Sequence, residues 1–423
     1  MPSIDNGAQT IRALAFYLPQ FHPVRENDEW WGKGFTEWRN VTNAQSQFPG
    51  HYQPHIPADL GFYDLRLPET RESQADLARA YGISGFVYYH YWFNGRRILE
   101  RPFNEVLASG KPDSPFCLCW ANENWARTWD GGDTELLLTQ EHSEADDLAH
   151  IQALLPALKD SRYIRIDGRP LLLIYRPQLL PDARRTAQVW RDVARRAGLG
   201  ELYLAGVEKS QFDPSDLGFD AVIEFSPNSK NVGARVFNGP ITRRLSKAGV
   251  LPRVFAKHSV FPYAAVVAGK LRQALPSYTY FRCVAPGWDN TARRRENGRI
   301  LIGSTPALYK KWLLTVCMQT LDRFKGDERI VFINAWNEWA EGCHIEPDLR
   351  WGHAYLEATR DALAEASRLD SQRPAAVSMP AAAKPQRPQA PMWHRWYWAL
   401  AVKFRNLVIV TKAILRLPME RRP

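Results

Sequence analysis

Residues 330–342 read IVFINAWNEWAEG, an apolar, β-branched run that changes abruptly into a polar segment rich in Trp and Glu. A run of this kind is typical of a buried parallel strand, and the polar residues begin where such a strand would end. Glu338 and Glu341 stand three apart in the polar segment, between and beside Trp336 and Trp339. The stretch therefore predicts a buried strand whose carboxyl end carries two carboxylates.

Similar runs recur along the first 340 residues, and most precede a stretch with helical periodicity. We count eight runs, at residues 12–19, 85–92, 116–121, 171–175, 202–206, 221–225, 281–284 and 330–335. Amphipathic helices are predicted at residues 69–81, 144–158, 182–196, 306–323 and 354–368. Eight strands alternating with helices predict an α/β fold, the (β/α)₈ TIM barrel. A doubly wound sheet is the competing architecture, but no G-x-G-x-x-G follows any run.

Polar and aromatic side chains follow nearly every run, and in a barrel the carboxyl ends of all strands converge on one mouth. We therefore expect these clusters to form one substrate-binding pocket. Its expected members besides the two glutamates are Tyr17, Gln20, His22, His90, Trp92, Trp120, Asn122, Glu123, Trp125, Arg127, Trp129, Glu224, Trp288, Asp289, Arg294, Asn337, His344 and Glu346. For the three histidines, a hydrogen-bonded role in the pocket or the core is an equal alternative.

The aromatic residues indicate a carbohydrate ligand. The chain has 16 Trp and 16 Tyr, many of them beside Asn, Asp, Glu or Arg. A flat ring covers the C–H face of a pyranose while neighbouring polar groups bond its hydroxyls. Three Trp share the segment 120–130 with several polar side chains, which would be costly to bury unpaired. Packing in a large core is the alternative for any single Trp.

Charge is unevenly distributed around a net value of +10. Residues 226–280 contain nine Lys or Arg and no acid, and we interpret them as a basic insertion before the seventh strand. Arg293, Arg294 and Arg295 follow that strand, where barrels often hold phosphate. The two features together predict binding of a nucleotide diphosphate, a lipid-linked pyrophosphate or an acidic glycan, with solvated surface as the alternative. No nucleic-acid partner is expected, since no recognition fold is recognisable.

The composition changes after residue 370, which predicts three parts. Residues 1–370 are expected to form the catalytic domain, 371–391 a Pro/Ala-rich linker and 392–423 a basic, amphipathic tail. The tail mixes Trp and Tyr with Lys and Arg, a pattern that favours a helix at a membrane surface; docking on the barrel is the alternative. Five cysteines and no signal-peptide pattern predict a cytoplasmic protein, peripherally associated with the inner face of the membrane. No metal site or cofactor is expected, because no complete ligand set is found.

The paired glutamates indicate the chemistry. Making or breaking a glycosidic bond requires one group to handle the proton of the bridging oxygen and a second to stabilise or trap the anomeric carbon. Two carboxylates in one pocket also repel each other, which separates their pKa values.

Five motifs resemble a known family. They are WNEWAEGCHIEP (336–347), FYLPQFHP (16–23), WWGKGFTEW (30–38), FCLCWANENWARTWDG (116–131) and PGWDNTARR (286–294). Together they are similar to the WbsX-type proteins of bacterial surface-polysaccharide gene clusters, which in turn resemble glycoside hydrolase family 99. The resemblance covers about residues 12–365, and it does not reach the basic tail.

Family 99 contains endo-acting α-mannosidases and mannanases on a (β/α)₈ barrel, with a matching segment N-E-W-x-E-G followed by I-E-P. The resemblance implies that Glu338 is the base that deprotonates the sugar 2-hydroxyl, giving a 1,2-anhydro intermediate with retention, and that Glu341 is the general acid/base at the leaving oxygen. This chain differs from the hydrolase pattern at Ala340, Cys343 and His344.

The favoured hypothesis is a glycosyltransferase of lipopolysaccharide O-antigen or capsule assembly, acting on an oligosaccharide, a lipid-linked glycan or a nucleotide sugar. A family 99-like hydrolase or transglycosylase is the close alternative. A non-catalytic glycan-binding module is the third, although such a module would be expected to have lost one of the two carboxylates, and both are present.

Overall fold

The computed structural model describes residues 11–127, 132–228, 233–236 and 239–373. Its central sheet contains eight strand positions, the seventh of which is split by Arg282. The strands are β1 (Arg12–Tyr17), β2 (Ile83–Phe93), β3 (Phe116–Trp120), β4 (Arg169–Ile174), β5 (Tyr203–Glu208), β6 (Ala221–Glu224), β7 (Tyr280–Phe281 and Cys283–Val284) and β8 (Ile330–Ile333).

Parallel pairing closes these strands into a barrel. Each strand from β1 to β6 pairs with the next, and β8 pairs with β1. The first part of β7 pairs with β6 and its second part with β8, so β7 joins the two ends of the strand order. Strands covered on both faces read as continuous apolar runs, which is why all eight were recognisable in the sequence. The predicted (β/α)₈ barrel is confirmed.

Eleven helices lie within the described residues. They are α1 (Arg25–Trp31), α2 (Glu37–Asn43), α3 (Pro68–Ala80), α4 (Arg101–Ser109), α5 (Glu144–Lys159), α6 (Ala183–Arg196), α7 (Pro240–Lys247), α8 (Val254–Lys257), α9 (Tyr263–Leu271), α10 (Pro306–Arg323) and α11 (Ala354–Ser371). All five predicted helices are present as α3, α5, α6, α10 and α11, with ends shifted by a few residues. None of the helices in the described ranges has both the length and the apolar character needed to cross a bilayer.

Local sequence accounts for the helix starts. Thr305 caps α10 by accepting a hydrogen bond from the Leu308 amide at 3.3 Å, and Pro306 occupies the first helical turn. Ser143 caps α5 in the same way through the Asp146 amide, at 3.0 Å. The buried faces of α5 and α10 then pack against the barrel.

Long connections at the carboxyl ends of the strands build the mouth of the barrel, and three of them contain additional helices or pair with each other. The first, after β1, contains α1 and α2. The second, after β6, contains α7, α8 and a strand at Ser259–Pro262, which pairs with Arg299–Ile302 of the third connection, after β7. The segment 226–280 was expected to be an insertion throughout, but it includes α9, the barrel helix between β6 and β7. The tail 392–423 and nearly all of the linker lie outside the described residues, so both remain predictions.

The barrel interior below the mouth is filled with aromatic side chains. The ring of Phe16 packs against Phe332 at 5.9 Å, against Tyr89 at 5.6 Å and against Phe225 at 6.3 Å between ring centroids. Side chains from four different strands or strand ends therefore meet at one level, as expected for a packed TIM-barrel core.

Candidate active site

A compact turn after β8 presents Glu338 and Glu341. Asn337–Glu338 pairs antiparallel with Cys343–His344, and a 3₁₀ turn at Trp339–Glu341 joins the two short strands. Gly342 follows with φ of 55°, and a Cβ atom there would lie 3.1 Å from the amide nitrogen of Asp289. Only glycine fits this left-handed position in such close contact. The turn therefore places both carboxylates on one side of the chain.

The turn is fixed to the end of β1 by Asn337. Its Oδ1 atom accepts a hydrogen bond from the Leu18 amide at 2.7 Å, and its Nδ2 group donates to the Leu18 carbonyl at 3.0 Å. Because Asn337 is fully buried, this paired contact satisfies polar groups that water cannot reach. Asn337 was expected to contact substrate, but its side chain holds the loop.

Arg293 binds three carboxylates from two other parts of the chain. Its Nη2 atom lies 3.0 Å from Glu338 Oε2, and its Nη1 atom lies 2.9 Å from Glu341 Oε1. Its Nε atom lies 3.1 Å from Oε2 of Glu37, a buried residue of α2. We call Arg293, Glu37, Glu338 and Glu341 the carboxylate cluster.

The shared guanidinium limits the distance between the two glutamates of the turn. The η nitrogens of one planar guanidinium are about 2.3 Å apart, so the two oxygens that they bind lie less than about 8.5 Å from each other. Glycosidic chemistry uses carboxyl separations of about 5–9.5 Å. The cluster therefore has dimensions that suit a sugar between or beside the two groups.

The environment of Glu338 adjusts its proton affinity. Burial raises the pKa of Glu338 to about 8; the neighbouring charges of Glu341 and Glu37 act in the same direction, and Arg293 opposes them. Burial likewise raises the pKa of Glu37. A carboxyl group with a pKa near 8 can take up and release a proton near neutral pH, which is the property required of a general acid or base.

A cavity of about 380 Å³ lies against the cluster. Its lining combines carboxylates, arginines, amides and aromatic rings, the mixture that binds sugars. The aromatic lining residues are Trp31, Tyr89, Tyr91, Trp125, Tyr175 and Phe225. Six of the residues expected from the sequence line this cavity: Gln20, Glu123, Trp125, Arg294, Glu338 and Glu341. We call it the carboxylate cavity.

Two further expected residues lie close to it. Arg127 pairs with Glu135 at 3.2 Å, and its guanidinium lies 5.7 Å from the centre of the Trp31 ring. Trp288 lines a second cavity beside the first. Trp129 lies outside the described residues.

Glu346 supports the turn from behind. Its carboxylate accepts hydrogen bonds from Trp339 Nε1 at 2.6 Å, Gln74 Nε2 at 2.6 Å and the Tyr63 hydroxyl at 2.8 Å. The hydroxyl of Tyr17 donates to Gln74 at 2.7 Å. Burial raises the pKa of Glu346 to about 7. Tyr17 and Glu346, both expected at the substrate, belong instead to this buried network.

His344 also supports the turn. Its ring stacks on Trp339 with 3.6 Å between centroids, and its Nε2 atom lies 2.8 Å from Nδ1 of His55. With Asp348, these two histidines form a group whose ligand atoms lie within 4.8 Å of one another and could hold a metal ion. In this geometry the two imidazoles form a direct hydrogen bond to each other.

Three residues expected at the mouth face the outer helices. His90 Nε2 lies 3.0 Å from Nε2 of His150 in α5, and the Trp92 ring stacks on His150 at 4.8 Å between centroids. Trp120 is fully buried against the same histidine. Burial lowers the pKa of His90 to about 3, so this imidazole is neutral. The expectation that these residues contact substrate does not fit their positions.

Alternation along β2 explains the difference. Successive side chains of a strand point to opposite faces, so Tyr89 and Tyr91 reach the cavity while His90 and Trp92 point away from it. The two residues of this run that were expected at the substrate, His90 and Trp92, therefore lie on the outward face of β2.

Four other expected residues serve the scaffold. Asn122 binds the Arg176 backbone through both its amide atoms, at 2.8 and 2.9 Å. His22 is buried outside the cavity lining, and burial lowers its pKa to about 4. Asp289 Oδ2 lies 2.5 Å from His51 Nε2.

Glu224 is the fourth. It is fully buried, 2.8 Å from Lys270 Nζ in α9 and 2.7 Å from Arg282 Nε. The triad joins β6, β7 and α9, so Glu224 does not reach the mouth.

Glu37 was not expected at the site, and Arg293 was expected only as one of three arginines that bind an anion; both lie inside quoted motifs, WWGKGFTEW and PGWDNTARR. A charged residue inside a Trp- and Gly-rich segment was the available signal. Both Arg293 and Arg294 line the carboxylate cavity, and a run of three arginines does not show which of them contacts the glutamates.

The chain is similar to known proteins over most of its length. The family model "Glycosyltransferase WbsX" matches residues 13–359. Two proteins from strains of Xanthomonas campestris pv. campestris, both described as "Uncharacterized protein WxcX", are 47% identical to this chain over 354 residues, covering 84% of this chain and 50% of theirs. The chain thus spans about half the length of these curated relatives.

Solved structures share the fold at low identity. A "Glycoside hydrolase-like protein" superposes with a TM-score of 0.53 and 16% identity, covering 86% of this chain and 96% of that one. A GH99 endo-α-mannosidase from Bacteroides thetaiotaomicron superposes with a TM-score of 0.50 and 14% identity, covering 84% and 98%. These likenesses establish the barrel alone, whereas the family model spans the barrel together with every motif of the candidate site. The chain belongs to the WbsX glycosyltransferase family.

Proposed function

We propose that this carbohydrate-active enzyme forms glycosidic bonds by transferring a glycosyl group with retention of anomeric configuration. The observation that carries the proposal is the carboxylate cluster, in which Glu338 and Glu341 share one arginine beside a cavity lined with aromatic rings. A general base and a general acid that act in one reaction must lie close together, and their environments must differ so that their pKa values differ. The side chain of Glu338 is only 9% exposed, whereas that of Glu341 is 20% exposed.

The assignment of roles follows the resemblance to family 99. Glu338 removes the proton of the sugar 2-hydroxyl, and the resulting oxygen attacks the anomeric carbon as the leaving oxygen takes a proton from Glu341. In the second half, Glu341 accepts the proton of the incoming hydroxyl, which opens the 1,2-anhydro ring, and Glu338 returns a proton to the 2-oxygen. Burial raises the pKa of Glu338 to about 8, so the ionised form that can act as a base becomes the major form only as pH rises through 8; once ionised, a base of higher pKa binds the proton more strongly.

Hydrolysis is the second candidate, because the superposed proteins named above include glycoside hydrolases. The same two carboxylates would serve with water as acceptor, and fold likeness alone does not choose between the acceptors.

We further propose a place in O-antigen or capsule assembly, with the tail 392–423 holding the enzyme at the inner face of the membrane.

The test is to incubate the purified full chain with nucleotide sugars, lipid-linked glycans and α-mannans, and to identify the products by mass spectrometry. Glu338→Gln and Glu341→Gln keep the side-chain shape and remove proton transfer, so each should lower activity by about 10² or more. Glu72→Gln, an exposed change on α3, is the matched control and should leave activity unchanged.

Two results would contradict the proposal. If both glutamine variants folded and retained full activity, the carboxylate cluster would not be the catalytic centre. If NMR of the first-formed product showed an inverted anomeric centre, the proposed roles would be wrong even with the cluster in place.

A further inference from the structure

A second cavity, of about 590 Å³, adjoins the carboxylate cavity, since Phe225 and Arg294 line both. Its lining includes five cationic side chains, and none of the described lining residues is Asp or Glu. We call it the basic cavity, and its cationic residues are Lys209, Arg235, Lys257, Arg294 and Arg299. They come from the connections after β5, β6 and β7.

Among the described residues, most of these cationic side chains have no carboxylate within ion-pairing distance. Lys257 pairs with Glu296 at 3.7 Å, and within the described residues no carboxylate pairs with the other four. The guanidiniums of Arg235 and Arg299 lie 5.9 and 6.0 Å from the centre of the same Phe261 ring. Burial lowers the pKa of Arg299, and the charge of Arg235 lowers it further. Gathering like charges in a concave site is unfavourable unless an anion binds there.

Lys209 stands where the two cavities meet. Its Nζ atom lies 3.8 Å from the centre of the Phe225 ring and 4.3 Å from the centre of the Tyr175 ring, which lines the carboxylate cavity. The two rings hold the ammonium by cation–π contact. The charges of Glu123, Glu341 and Glu338 also act on Lys209, but none of these carboxylates forms an ion pair with it among the described residues. An anionic group on Lys209 would therefore lie directly beside a sugar in the carboxylate cavity.

We propose that the basic cavity binds the diphosphate of a substrate whose sugar occupies the carboxylate cavity. Arginine forks bind phosphate oxygens in pairs, and a lysine adds a point charge between them. A cavity of this size has room for a diphosphate together with part of the group esterified to it. The inference rests on the proposed function, because it assigns the non-sugar part of that enzyme's substrate. A nucleoside diphosphate and a lipid diphosphate present the same chemistry here.

Isothermal titration of the full chain with inorganic pyrophosphate tests the site. The wild type should bind, with an affinity that falls as salt is raised. Arg299→Gln and Lys209→Gln should each weaken binding by about tenfold to 100-fold, the usual effect of losing a hydrogen bond to a charged group. Arg295→Gln is the matched control: Arg295 is exposed, adjoins Arg294 in sequence and does not line the cavity, so its loss should change affinity less than about twofold. Thermal unfolding of each variant checks that it folds.

Two further titrations identify the source of the diphosphate. Tighter binding of a nucleoside diphosphate than of pyrophosphate supports a nucleotide sugar, and tighter binding of a short prenyl diphosphate supports a lipid-linked glycan. Equal affinities support a subsite that recognises the diphosphate alone. Absence of pyrophosphate binding at millimolar concentration, or equal weakening by Arg295→Gln, would overturn the inference.

Failure of this inference can be told apart from failure of the proposed function. Glu338→Gln should still bind pyrophosphate at least as well as the wild type, because Glu338 does not line the basic cavity and the negative charge that it loses acts on Lys209. Pyrophosphate binding without any glycosyl transfer or hydrolysis would leave the subsite standing and reject the proposed function. Activity on neutral glycans without pyrophosphate binding would support the proposed function and reject the diphosphate subsite.

Discussion

Replacement of Arg293 by Gln tests the carboxylate cluster through stability, without knowledge of the substrate. The change removes the cation that lies within 3.1 Å of Glu37, Glu338 and Glu341. Glu37 and Glu338 are buried, so water cannot replace the lost charge. Each carboxyl must then either remain ionised without a partner or take up a proton.

The size of the effect depends on pH. Removing one partner of a buried ion pair costs about 3–5 kcal/mol when the remaining charge persists. The folded-state pKa of Glu338, about 8, lies above the unfolded value of about 4.3, so its contribution to stability is present at low pH and is lost as pH rises through 8. Loss of Arg293 raises this pKa further. The stability deficit of the variant should therefore be small near pH 5 and increase as pH rises above 8, by up to about 1.4 kcal/mol per pH unit for a carboxyl group whose pKa has been raised.

Thermal unfolding measured across this pH range gives the result. With an unfolding entropy of about 2.1 cal/mol/K per residue over about 360 residues, 3–5 kcal/mol corresponds to a fall in Tm of about 4–7 °C. Arg293→Gln should lower Tm by less than about 2 °C at pH 5 and by clearly more at pH 9, with about 4–7 °C as the upper limit. Adding Glu37→Gln to the variant should recover part of the loss at pH 9, since it removes one unpaired carboxylate. A deficit of equal size at both pH values, or one matched by Arg295→Gln, would refute the reasoning.

Three further predictions concern pH, ligands and the tail. In the active enzyme, Glu37→Gln should move the rising limb of the rate–pH profile to lower pH by at least about half a unit, because it removes one of the negative charges that raise the pKa of Glu338; a limb that does not move would reject Glu338 as the titrating base. Trp125→Ala should weaken neutral and charged glycans alike by about tenfold, whereas Arg294→Gln should weaken only ligands with phosphate or carboxylate, as titration calorimetry would show. Truncation after Arg373 should abolish flotation with anionic liposomes, since each basic residue near the surface contributes about 1 kcal/mol; equal flotation of both chains would exclude the anchor.

The barrel was predictable because its strands are buried on both faces and its longest helices are amphipathic. The exceptions have physical causes. The helix α4 is only nine residues long, too short for its periodicity to stand out. The seventh strand was predicted as one run at 281–284, but the structure interrupts it at Arg282, whose side chain pairs with Glu224. Partners of Arg282 come from β6 and α9, which lie elsewhere in the sequence, so no local sequence pattern predicts this contact.

The site was predictable only where its residues are local. Glu338 and Glu341 lie in one short turn, so their proximity follows from their spacing. Arg293 and Glu37 are 256 residues apart, and they meet only because the connections after β1 and β7 reach the same mouth. A cation between two carboxylates could have been expected on electrostatic grounds, but the sequence offered three adjacent arginines for that place.

Polar and aromatic residues are dense around Glu338 for two reasons: some keep the buried loop hydrogen-bonded, and others face the cavity. The sequence does not show which residue does which. Asn337 is satisfied by the Leu18 backbone, and Trp339 donates to Glu346, so both have their partners within the protein. Much of the density that indicated substrate contact is therefore needed to keep a buried loop hydrogen-bonded, because an unpaired polar group there would destabilise it. Glu338 and Glu341 differ from Asn337 and Trp339 in this respect. Both glutamates pair with Arg293 and also line the carboxylate cavity. A turn fixed in this way holds the two carboxylates in place before a ligand arrives, which is the arrangement that makes electrostatic stabilisation effective in catalysis.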